Sequence, residues 1–73
     1  MDLFHFLDLL EARKIYFSLN RIRDSILVEI AVPGQRWEVE FLPDGSIQIE
    51  KFLSEGILHD ETELDVLLLE YSD

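Results

Sequence analysis

Three turn signals at roughly even spacing, Asp24-Ser25, Pro33-Gly34 and Pro43-Asp44-Gly45, cut the middle of this chain into segments too short for stable helices. Between them the apolar residues recur at every second position. Ile15, Phe17 and Leu19 alternate with Tyr16, Ser18 and Asn20. Ile26, Val28, Ile30 and Val32 alternate with Leu27, Glu29 and Ala31, and Trp37, Val39 and Phe41 with Arg36, Glu38 and Glu40. Ile47 and Ile49 continue the pattern. A period of two is that of a strand buried on one face, and tight turns between successive strands make neighbours antiparallel. Pro33 fixes φ ahead of a glycine that tolerates positive φ, as a type II turn requires, and Pro43-Asp44-Gly45 suits a three-residue hairpin loop. The expected sheet is therefore a four-stranded antiparallel meander.

The flanks follow a different period. Leu3, Phe6, Leu7 and Leu10 share one face of a helix over about residues 2 to 13, with Asp2 placed to cap its first free N–H groups. Leu64, Leu67, Leu68 and Tyr71 form the stripe of a second helix over about residues 61 to 71. Asp60 followed by Glu63 resembles a capping box at its start. Ile57-Leu58 reads as a short apolar anchor after the loop Ser54-Glu55-Gly56. Two apolar helix stripes need an apolar sheet face, and the meander offers one. The fold class expected for residues 1 to 73 is a single α+β domain, a two-layer sandwich of order α-β-β-β-β-α with both helices on one face.

Seventy-three residues hold only one thin core. With 48% hydrophobic residues the chain has the apolar surface that acidic disordered tails lack. It has no cysteine, so neither a disulfide nor a thiolate zinc site can staple it. Met1 to Leu10 is apolar but carries Asp2 and Asp8 and no basic leader, which argues against a signal peptide. The longest fully apolar run, Val66 to Leu69, is far short of the roughly 20 residues of a membrane span. A cytoplasmic protein is expected.

Sixteen acidic against six basic residues give a net charge of −10. That charge repels nucleic-acid phosphates and anionic lipid surfaces and favours a basic protein partner. Carrying the alternation through the loops places Glu29 opposite Glu38 and Glu38 opposite Glu50, one transverse row on the face away from the helices. Glu40 falls beside it, opposite Gln48. Like charges directly opposed cost stability, so a chain shaped by folding alone would more readily alternate their signs. The solvated-face reading, charge kept for solubility and to discourage edge pairing, carries more weight for a row of this kind than the docking one.

No catalytic set emerges. His5 and His59 stand at opposite ends of the chain with no nucleophile beside them, and structural roles fit them better than catalytic ones. Carboxylates at 60, 61, 63 and 65 lack the central glycine of a calcium loop, so they read as helix-capping charge. No metal and no cofactor is expected, and Trp37 reads as core. Val66 and Leu69 widen the apolar arc of the second helix beyond one sheet face. Together with Phe4, Leu9, Leu27, Phe52 and Leu53 they suit the contact of a homodimer.

The string Val32-Pro33-Gly34-Gln35-Arg36-Trp37-Glu38-Val39-Glu40-Phe41, followed by Asp44-Gly45 and the acidic closing helix, resembles a group of short acidic bacterial proteins without an assigned activity. The resemblance spans most of the chain and implies a bacterial cytosolic protein, with no cofactor or site residue to carry over. The expected function is a non-enzymatic interaction module of antitoxin or immunity type, docking a basic partner through Glu29, Glu38, Glu40 and Glu50. The alternatives are a structural homodimer packed through Val66 and Leu69 of the second helix, and a small metal-binding protein using its acidic residues.

Overall fold

A computed structural model describes residues 1–52, 58–59 and 62–70. Its elements follow the order helix α1 (Leu3–Ala12), strands β1 (Phe17–Ile22), β2 (Ser25–Val32), β3 (Gln35–Phe41), β4 (Ile47–Phe52) and β5 (Leu58–His59), and helix α2 (Thr62–Glu70). All strands are antiparallel and lie in sequence order, so the four-stranded meander is present and a two-residue fifth strand extends it. That fifth strand shares Leu58 with the segment Ile57-Leu58 read as an apolar anchor, and Ile57 lies outside the described residues. Two residues are too few to show any period, so alternation could not reveal it. The expected cap at Asp60, Leu53 and the end of the α2 stripe at Tyr71 lie outside the described residues.

One apolar cluster joins the layers. Phe6 and Leu10 from α1 and Leu64, Leu67 and Leu68 from α2 meet Val28, Ile30, Trp37, Val39 and Ile49 from the sheet. Both helices therefore cover the same sheet face, as the two stripes required. Trp37 is fully buried, and its Nε1 donates to Gln35 Oε1 at 2.8 Å, which satisfies the one polar atom that burial would otherwise orphan. The Phe6 and Phe41 rings, 5.7 Å apart, tie α1 to β3.

The ends of α1 show how local chemistry sets its length. Asp2 takes an extended conformation and its carboxylate accepts from the His5 N–H at 2.8 Å, the expected N-cap. At the other end the Ile15 N–H donates to Leu10 O at 2.9 Å and the Lys14 N–H to Glu11 O at 3.1 Å. These are the two bonds of a Schellman motif, with buried Ile15 and Leu10 as its apolar contact. Residues 14 and 15 are spent on closing the helix, so β1 starts at Phe17 rather than at Ile15.

The motif places Lys14 at φ 58°, the left-handed region where a Cβ is strained. Replacing Lys14 with glycine is expected to raise stability by roughly 0.5–1 kcal/mol, read as a higher urea midpoint with an unchanged slope. An unchanged or lower midpoint would mean that the strain is absent.

The first hairpin is offset by one residue from the sequence reading. Its loop is Arg23-Asp24, with Ser25 paired to Ile22, and Arg23 rather than a glycine takes positive φ, 55°. Alternation alone could not separate these loops, because Ser25 suits either a turn or a strand start. The other two loops match. Gly34 has φ 77° between paired Val32 and Gln35, and Gly45 has φ 89° in a loop closed by Leu42 N–H donating to Ser46 O at 2.9 Å. In that loop Asp44 accepts from the Ser46 hydroxyl at 2.6 Å and the Ser46 N–H at 2.9 Å, which holds its carboxyl below the ordinary 3.8.

Candidate functional site: the acidic sheet face

Register decides which side chains share the face away from the helices. Glu29 pairs with Glu38 and Glu38 with Glu50, so one transverse row runs Ser18, Glu29, Glu38, Glu50. The parallel row holds Asn20, Leu27, Glu40 and Gln48, and a third holds Ala31, Arg36 and Phe52. A slip of one residue would have sent these glutamates into the core, and the buried Val28, Ile30, Val39 and Ile49 that alternate with them fix the register.

The four glutamates are half-buried. Their partners are neutral. Asn20 Nδ2 donates to Glu29 Oε1. Ser25 Oγ lies 2.6 Å from Glu40 Oε2 and 2.9 Å from Ile22 O. Its single proton goes to the carboxylate, the stronger acceptor. Among the described residues no basic side chain pairs with Glu38 or Glu50.

By register Arg21 and Lys51 fall on the helix-bearing side, opposite Ile26 and Trp37, and only Arg36 shares the face with the glutamates. Arg21 Nε donates to Arg23 O at 2.9 Å, at the hairpin end. The Arg36 guanidinium stacks over the Phe52 ring at 4.5 Å, and Lys51 Nζ lies 5.0 Å from the Trp37 ring. Charge on the row is therefore hydrogen-bonded in part and neutralised nowhere among these contacts.

Between the two glutamate rows lies a shallow depression of about 60 Å³, lined by Leu27, Glu38, Glu40, Gln48 and Glu50 with Ile49. It is far below the roughly 300 Å³ of a small-molecule site, but it admits the tip of one side chain. Leu27, which the sequence groups with residues suited to a homodimer contact, is the apolar part of this lining with Ile49. Ser25 and Asn20 were missed as partners. Their signal was the hairpin register, which turns on the one-residue offset of the first loop.

The remaining candidates are dispersed. His5 is exposed on α1, and among the described residues no three histidine or acidic side chains gather closely enough to share a metal ion. Leu69 is 82% exposed, whereas Val66 is half-buried. An open trough of about 510 Å³ between α1 and α2 is lined by Met1, His5, Leu9, Arg13, Asp65, Leu68 and Leu69. No helix among the described residues is long and apolar enough to cross a membrane. Comparison with protein-family models, with curated proteins and with solved structures finds no match to this chain.

Proposed function

We propose that this chain is a non-enzymatic interaction module that docks a basic protein partner on the helix-free face of its sheet. The supporting observation is the row Glu29, Glu38, Glu50, three carboxylates side by side with no basic side chain paired to them among the described residues, beside a depression the size of one side-chain tip. A lysine or arginine entering there meets Glu38, Glu40 and Glu50 together over the apolar Leu27. The half-buried setting strengthens that attraction relative to bulk water. The net charge of −10 draws a basic partner in from a distance and makes association sensitive to salt. An antitoxin or immunity protein, which covers a basic surface on a toxin or nuclease, has this requirement.

The test is a pull-down from the source cell with the wild type and with a variant carrying Glu29→Gln, Glu38→Gln and Glu50→Gln. A basic protein recovered by the wild type at low salt, lost at high salt and lost with the variant supports the reading. Recovery of the same protein by both forms, or indifference to ionic strength, contradicts it.

A homodimer through α2 is a second reading, favoured by the exposure of Leu69 at the open trough. Light scattering across a dilution series separates the two, because a monomer at every concentration removes the dimer.

A further inference from the structure

The segment that carries β1 differs in sign from the rest of the chain. Four of the six basic residues, Arg13, Lys14, Arg21 and Arg23, fall between positions 13 and 23, and no acidic residue lies among them. β1 stands at the end of the sheet, paired on one side only with β2. Its six residues keep unbroken register with no proline and no bulge, so among the described residues charge is what remains of the usual devices that spoil an edge for pairing.

The backbone groups along that edge can be assigned. The Ala31 N–H donates to Tyr16 O, which makes Tyr16 and Ala31 a hydrogen-bonded pair. In an antiparallel ladder such pairs alternate, so Ser18, Asn20 and Ile22 also point their backbone groups at β2. Phe17, Leu19 and Arg21 point theirs outward, and among the described residues nothing meets them. Beside them the side chains of Tyr16, Leu19 and Ile22 are 72%, 48% and 44% exposed.

We propose that this edge accepts an extended, carboxylate-bearing segment of a partner protein as a further strand, hydrogen-bonded to the main chain of Phe17, Leu19 and Arg21. Main-chain bonding supplies attachment and side-chain chemistry supplies the choice. On the helix-bearing side an incoming residue opposite Phe17 or Leu19 is apolar, and one opposite Arg21 is acidic. A second copy of this chain fits less well. Pairing two β1 edges brings Arg21 and Arg23 of both copies to one seam and no carboxylate from the same segment. The site is separate from the acidic face and opposite in charge, so either proposal can fail without the other.

The experiment uses isotope-labelled full-length protein and a blocked peptide, Glu-Thr-Glu-Thr-Val-Thr-Val-Thr, whose two ends place glutamates near Arg21 and Arg23 and valines near Leu19 and Phe17. The expected result is shifted amide signals and slowed hydrogen exchange at Phe17, Leu19 and Arg21. A twin with lysine in place of glutamate should bind about tenfold more weakly, and 0.5 M salt should weaken the glutamate peptide by about fivefold. Leu19→Pro removes one outward N–H and no bond to β2, so it should weaken binding by about tenfold while the sheet persists. Should that variant unfold, Arg21→Glu serves instead and should reverse the preference to the lysine twin. Unchanged exchange at those three amides with millimolar peptide would overturn the proposal, as would equal affinity for both peptides. Protection that rises with protein concentration alone would assign the edge to a second copy and overturn it as well.

Discussion

Trp37→Ala is expected to leave the chain largely unfolded at 25 °C, seen as loss of the far-ultraviolet circular dichroism of the sheet. Trp37 is the largest fully buried side chain and lies on β3, in the cluster to which both helices contribute. Truncating a buried tryptophan costs roughly 3–5 kcal/mol in lost transfer energy and cavity. A chain of this length has about 4–11 kcal/mol in total, and small domains sit at the low end of that range. With no cysteine there is no disulfide to offset the loss. Trp37→Phe keeps most of the ring volume and loses the 2.8 Å bond to Gln35, so it should stay folded at a cost of about 1–2 kcal/mol. A cooperative Trp37→Ala transition at the wild-type midpoint would show that the core is centred elsewhere.

The variant with glutamine at 29, 38 and 50 should move stability and binding in opposite directions. Two carboxylates about 6 Å apart in water repel by about 0.7 kcal/mol, so removing both contacts along the row should stabilise the fold by about 1 kcal/mol at low salt. The same change removes three attractions of similar size towards a basic partner, about 2 kcal/mol or thirtyfold in affinity. Denaturation and titration calorimetry with the purified partner read the two effects separately. A variant that loses stability and keeps its affinity would make the row a structural feature.

How much of this was legible beforehand depends on the scale of the signal. The row itself could be read, because two well-marked loops at Pro33-Gly34 and Pro43-Asp44-Gly45 count the register outward from the fully buried Val39. The capping of α1 by Asp2 and the burial of Trp37 followed from equally local rules. What was hidden lay where local rules tie or are broken. Arg23 and Lys14 hold positive φ without being glycine or asparagine, so neither the first loop nor the Schellman ending of α1 announced itself. β5 is too short to alternate. Leu19, in the alternation that marks the core face, is half exposed because β1 is an edge, and edges are a property of the assembled sheet.

The most direct test is the urea stability of the single variant Glu38→Gln at low and at high salt. Glu38 faces carboxylates on both neighbouring strands and neither is neutralised by a basic side chain among the described residues. If the charge is held there at the expense of folding, the variant is more stable than the wild type by about 1 kcal/mol at 20 mM salt, and the gain shrinks towards zero at 0.5 M. Equal stability at both salts, or a less stable variant, would mean that the row costs nothing to keep and would remove the physical ground for reading it as a docking surface.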